Sequence, residues 1–210
     1  MSSDDASHGQ EYLVSFHVQD EALTRAALDE HAAISIAFVV DRILEVALVD
    51  GGLGGMAFTE TAVAVPSIKD YDAIAGEGPV SWPERFDISN WGLICARRDG
   101  ARVGGAVVAI KTPGLHMLGG RDDVAVLWDI RVSPGERGTG GGTALFRAAE
   151  GWARARGCQW LKIETQNVNA AACRFYQKMG CVLGAIDRFA YPELPGEVQL
   201  LWWKELAANP

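Results

Sequence analysis

No stretch constrains this chain as tightly as Arg137-Gly138-Thr139-Gly140-Gly141-Gly142. Before it lies an apolar run, Val124 to Val132, that reads as a central strand, followed by the turn Ser133-Pro134-Gly135-Glu136. After it, Leu145, Ala148, Ala149 and Trp152 recur at helical spacing, so a helix from about Thr143 to Arg156 lays one apolar stripe on a sheet. Glycines here strip side chains from the backbone where a helix begins. The first helical N–H groups have no internal acceptor, and the macrodipole adds about half a positive charge there. Such a terminus suits a phosphate group.

Two familiar phosphate loops fit this pattern poorly. A P-loop requires Gly-Lys-Ser/Thr, and the stretch contains no lysine. A dinucleotide fingerprint is closer, since Gly138 to Thr143 nearly matches its glycines and Glu164 lies downstream where a ribose partner would stand. That fingerprint begins almost at the strand end, however, whereas five residues separate Val132 from Gly138 here.

The rest of the chain organises around this unit. Residues 1–10 read as a flexible tail and residues 11–210 as a single domain. Apolar spacing predicts a helix over Glu21 to Glu30. Alternation from Ile34 to Val40 predicts a strand that gives way near Asp41, and Phe58 to Val65 a strand closed by Pro66. Ser67 to Asn90 is polar and turn-rich, the kind of long irregular segment that tends to carry function. Trp91 to Arg97 and Val103 to Lys111 form a hairpin about Asp99-Gly100. Beyond the glycine helix come a strand (Cys158 to Thr165), a helix (Asn167 to Met179, ended by Gly180) and two strands (Cys181 to Tyr191, Val198 to Lys204). This order implies a mixed sheet with helices packed on it, an α+β or layered α/β structure.

Charge and cysteine usage exclude other classes. A net charge of -8 argues against a nucleic-acid surface and favours a cationic small partner. The apolar run Ala32 to Val49 is broken by Asp41, Arg42 and Glu45, so no membrane span is expected. The four cysteines show no metal-ligand spacing, and no metal is expected; reduced thiols and an acidic, polar N-terminus point to the cytoplasm. Monomer and homodimer both stay open.

Arg137, Gly140 and Gly142 also match Arg-x-x-Gly-x-Gly, and with Glu164-Thr165-Gln166-Asn167-Val168-Asn169, Cys173-Arg174-Phe175-Tyr176 and Gly180 the chain resembles the GNAT superfamily of N-acetyltransferases. Within it, the chain looks most like the streptothricin acetyltransferases, which share an ETQNVN…CRFY stretch and an aromatic final strand like Leu201-Trp202-Trp203. The resemblance covers Asp123 to Leu206 well and Trp91 to Lys111 loosely. It implies the GNAT fold, a mixed, mostly antiparallel twisted sheet of about seven strands flanked by about four helices, with acetyl-CoA as cofactor. By the same resemblance, the main-chain amides of the loop Arg137, Gly138, Thr139, Gly140, Gly141 and Gly142, with Thr143, would bind the pyrophosphate. The backbone at Ile130, Arg131 and Val132 would pair with the pantetheine arm, Asn169 would hold the coenzyme, and Tyr176 would be the general acid. The family commonly carries a basic residue where Thr139 stands and an aliphatic one where Gly141 stands.

Acyl transfer to an amine needs a deprotonated nucleophile, a donor to the developing oxyanion and a proton for the departing thiolate. A primary amine of pKa about 10.4 arrives charged, so a carboxylate should bind it and relay its proton. Asp129 and Glu164 are the candidates. Strand alternation puts Asp129 and Arg131 on one face and Trp128 and Ile130 on the other. Tyr176 follows Asn169 by seven residues, two helical turns, so both face one way. A backbone N–H at the end of the central strand should meet the oxyanion. Trp91 and Trp128 could wall a cationic acceptor. No histidine is assigned a role. With no partnered nucleophile in view, the expected mechanism is direct attack in a ternary complex on a streptothricin-like or other amine. The alternatives are a coenzyme-A-binding sensor or interaction module without turnover, and a GNAT acting on a protein amine.

Overall fold

A computed structural model describes residues 16–206 of the chain. The tail expected over residues 1–10 lies outside the described residues. A seven-stranded sheet is built from β1 (His17–Glu21), β4 (Trp91–Arg98), β5 (Ala101–Ala109), β6 (Val124–Val132), β7 (Trp160–Gln166), β9 (Gln199–Glu205) and β8 (Val182–Asp187), in that spatial order. Every neighbouring pair is antiparallel except β6 with β7. Helices α1 (Arg25–Ala32), α2 (Trp82–Arg85), α3 (Gly141–Arg154) and α4 (Ala170–Lys178) pack on the sheet, and β2 (Phe38–Leu48) pairs with β3 (Met56–Lys69) as a separate ribbon.

Each face of the sheet carries a core. On one side Leu145, Phe146 and Ala149 of α3 meet Ile94, Leu161, Ile163 and Leu200. On the other, Ala27 and Leu28 of α1 and Trp82 of α2 cover Leu93, Val107, Val124 and Val126. Asp99 and Gly100, both at positive φ, make the tight β4–β5 turn that their types predict.

The first third of the chain differs most from its sequence reading. Glu21 ends a strand on the sheet edge instead of starting a helix, and α1 begins later, capped by the Thr24 side chain on the Ala27 N–H. β2 does not stop near Asp41; it steps over that residue through a register shift between Val40 and Arg42. Pro66 does not close β3 either. The pairing jumps from Arg42↔Ala62 to Val40↔Ser67, so Pro66 sits where the ladder is already broken and its missing N–H removes no bond. Asn167 ties the ribbon to the end of β7, accepting from Leu44 N at 2.9 Å and donating to Leu44 O at 3.1 Å.

Candidate active site

The central strand parts from its parallel neighbour. β6 pairs with β7 only from Val124↔Trp160 to Leu127↔Ile163, whereas its pairing with β5 continues to Val132. From Trp128 onward, the edge of β6 that faced β7 has no strand partner among the described residues, and Glu164 to Gln166 pair there with β9 alone. A gap therefore opens between two strands whose main-chain groups are free to meet an extended ligand.

A bulge accompanies the parting. Val107 pairs with Asp129 but Val108 pairs with Leu127, leaving Trp128 as the extra residue. Strict alternation, which puts Trp128 opposite Asp129, fails at this point. Trp128 packs against Trp82 and Phe86, while Asp129 reaches His31, whose ring lies 6.2 Å from that same Trp82. Both side chains thus lie on the α1 side of the sheet.

The glycine loop opens onto α3. After a single 3₁₀ turn, Pro134–Glu136, the backbone takes positive φ at Gly138 and at Gly140, the N-cap. Gly140 offers no side chain to cap the helix, so the amides of Gly141, Gly142 and Thr143 have no intrahelical acceptor. Arg137 turns aside from them. Its Nε donates to Val132 O at 3.0 Å, Nη1 to Ala37 O at 2.7 Å and Nη2 to Ser35 O at 2.8 Å, clamping the α1–β2 connection to the end of β6. The Thr139 hydroxyl donates to Glu136 O at 2.7 Å.

Helix α4 carries two predicted residues. Asn169 caps it, its Oδ1 accepting from Ala172 N at 3.1 Å. Tyr176 is buried with its ring on Phe146 and Phe175, and among the described residues its hydroxyl has no hydrogen-bond partner. Burial, helped by nearby Cys181 and Asp129, pushes its phenol well above the ordinary tyrosine value, so it stays protonated.

Glu164, half-buried on β7, accepts from Tyr191 Oη at 2.6 Å and Gln199 Nε2 at 2.8 Å. Gln166 Nε2 donates to Tyr191 Oη at 2.9 Å. Beside this group, Glu197 accepts from Tyr71 Oη at 2.7 Å and pairs with Lys69, whose ammonium lies 4.9 Å from the Tyr71 ring centre. Burial, then the adjoining carboxylates, push both phenols upward, and Tyr71 feels Glu164 and Tyr191 as well as Glu197. Two carboxylates and two tyrosines form one patch. Only Glu164 was legible as part of it. Tyr71 hides in the turn-rich segment, and Tyr191 and Glu197 bracket the loop through Pro192 and Pro195.

Asp129 stands elsewhere. Its carboxylate takes Arg131 Nε at 2.9 Å, Arg131 Nη2 at 2.6 Å and His31 Nε2 at 2.8 Å, all buried. Arg131 extends the network to Ile34 O and, through both Nη atoms, to Asp72. Although burial alone would raise it, the Arg131 guanidinium and the His31 contact hold the Asp129 carboxyl well below the usual carboxylate range. His31, which sequence reasoning leaves without a role, is fully buried. Its place three residues after Leu28 and four after Ala27, on the same helical stripe, was the available signal. Trp91 lies in the core with its indole N–H on Thr112 Oγ1 at 2.8 Å, and Trp128 sits half-buried at the edge of the same aromatic cluster. Among the described helices none is long and apolar enough to cross a membrane.

Known proteins share this architecture. The chain is 29% identical over 185 residues to streptothricin acetyltransferase of Streptomyces lavendulae, covering 88% of this chain and 89% of that protein. It is 37% identical over 81 residues to streptothricin acetyltransferase A of Bacillus subtilis, where the match spans 38% of this chain and 47% of the relative, about half its length. The crystal structure of nourseothricin acetyltransferase superposes with a TM-score of 0.71 at 25% identity, covering 91% of this chain and 99% of that one. The family model described as "Acetyltransferase (GNAT) family" matches residues 66–181, from the end of β3 through the glycine loop to the far end of α4. Because that match takes in more than half of the sequence, the chain belongs to the GNAT family of acetyltransferases.

Proposed function

We propose that this chain is an acetyl-CoA-dependent N-acetyltransferase that modifies a primary amine of a small cationic acceptor by direct attack in a ternary complex. The observation that carries this reading is the gap between β6 and β7, set against the uncapped start of α3. Orphan amides beside an unpaired strand edge fit a ligand that joins a diphosphate to an amide-bearing arm. Gly138 to Thr143 would hold the diphosphate, the edge from Ile130 to Val132 the pantetheine arm, and the Asn169 side chain the coenzyme from α4. When bound, acetyl-CoA supplies the acetyl group as an activated thioester.

The chain's own residues divide the remaining work. Glu164, fixed by Tyr191 and Gln199, binds the acceptor ammonium and takes its proton. Glu197 and Tyr71 extend the cation-binding wall. Tyr176 Oη holds the proton needed at the departing sulfur, and burial keeps that proton in place at neutral pH. A backbone N–H at the end of β6 faces the charge that develops on the acyl oxygen. All four cysteines are buried with raised thiol pKa values, which disfavours an acyl-enzyme route. Asp129, locked by Arg131 and His31, is left out of the acceptor set.

Streptothricin, for which the related acetyltransferases are named, is the first acceptor to test. Free thiol released from acetyl-CoA should rise when streptothricin or another small polyamine is added, with a matching acetyl gain in product mass. Coenzyme binding without thiol release across an amine panel would overturn the enzyme reading.

A further inference from the structure

We propose that Arg98, the last residue of β4, binds a phosphate group of the coenzyme at the mouth of the glycine loop. The inference rests on the coenzyme reading above and adds a residue to it. A cation beside the amides strengthens the hold on an organic polyphosphate through charge-assisted hydrogen bonds, and in a chain of net charge -8 that cation has to be placed locally. Arg137, the arginine inside the loop, has all three nitrogens on the carbonyls of Val132, Ala37 and Ser35.

Arg98 reaches the loop from across the sheet. Its Nη2 lies 3.4 Å from Thr139 Oγ1, between the two positive-φ glycines, and its Nη1 lies 2.5 Å from Glu136 Oε2. Its Nε is buried and has no hydrogen-bond partner among the described residues. The guanidinium lies over the Phe16 ring, its Cζ 4.6 Å from the ring centre. That same ring sits against the helix start, so close that a Cβ on Gly141 would meet it at 3.3 Å. One aromatic ring therefore touches both the cation and the first turn of α3. Glu136 keeps the guanidinium over the loop, and a phosphate arriving at the orphan amides would share it.

Isothermal titration of wild type, Arg98→Gln and Arg98→Lys with coenzyme A and with 3′-dephospho-coenzyme A tests this. Arg98→Gln should weaken coenzyme A by about tenfold or more and flatten the salt dependence of binding, in a protein that is still fully folded at the titration temperature by circular dichroism. Arg98→Lys should recover part of the affinity. A penalty that persists with the dephospho compound places Arg98 on the diphosphate; one that vanishes places it on the 3′-phosphate. Binding by Arg98→Gln within twofold of wild type for both ligands would overturn the proposal, as would a loss of affinity that simply follows a loss of folding. Wild-type binding is a separate reading: its absence would remove the coenzyme site itself, and Arg98 with it.

Discussion

His31 Nε2 and Asp129 Oδ1 lie 2.8 Å apart across 98 residues of sequence, both side chains buried. The contact needs Gly105 on β5, because a Cβ there would fall 2.5 Å from His31 Nδ1. It also needs the bulge at Trp128, which turns Asp129 toward α1. Arg131 completes the pairing and carries it out to Asp72. A helix, the central strand and the segment after β3 are thereby fastened together just behind the gap between β6 and β7.

Asp129→Asn should destabilise the fold by about 3–5 kcal/mol, since it leaves the buried Arg131 guanidinium short of its counter-charge. The pH dependence has a definite sign. A carboxylate whose folded pKa is depressed contributes stability that is full above its unfolded value, about 3.9, and is lost as pH falls through the folded value. Urea unfolding should therefore show a wide gap between wild type and variant at pH 7 that narrows in strong acid. An equal gap at both pH values would contradict the ion-pair account.

Tyr176→Phe keeps the ring packing on Phe146 and Phe175 and removes only the hydroxyl. Turnover at saturating substrate should fall about a hundredfold or more, with little change in either KM. Because the folded phenol is raised, the acid form persists, and no loss of activity should trace to this residue below about pH 10. Unchanged turnover would remove Tyr176 from the mechanism.

Glu164→Gln should lower kcat/KM for the amine about a hundredfold while leaving coenzyme affinity intact. Tyr191→Phe, which withdraws one donor from that carboxylate, should have a smaller effect on the same parameter. Steady-state kinetics with both substrates varied separates the two. An effect of Glu164→Gln confined to the coenzyme KM would place the acceptor elsewhere.

The glycines of the loop should not be equivalent. Gly140, at φ +101, forces strain on any side chain, so Gly140→Ala should cost about 1 kcal/mol or more and weaken coenzyme binding. A Cβ at Gly142 would rest 3.7 Å from the Phe175 ring in ordinary contact, and Gly142→Ala should fold as well as wild type. Thermal melts of the pair, with and without coenzyme A, check the contrast.

None of the four thiols should react with a chromogenic disulfide in the native protein, and all four should react in urea. Each is buried, and burial pushes each thiol up, Cys181 to about 11, so little thiolate forms near neutral pH. A fast-reacting native cysteine would revive a covalent route.

What the sequence determined by itself was whatever local chemistry decides. The strand over Val124 to Val132 follows from apolar residues in a short run, and the helix behind the loop from apolar spacing after the glycines. The hairpin follows from Asp99-Gly100, and the end of α4 from Gly180 after an apolar run. Only the tertiary structure decided which groups meet. The bulge at Trp128 exists because β5 and β6 differ by one residue over the same length, a mismatch that neither strand carries alone. The Arg137 side chain, next to the glycines in sequence, spends its guanidinium donors on carbonyls that include one a hundred residues away. Tyr71, Glu164, Tyr191 and Glu197 become one patch only after three separated segments converge. Backbone preference acts over a few residues, whereas burial and ion pairing act between segments that the chain brings together by folding.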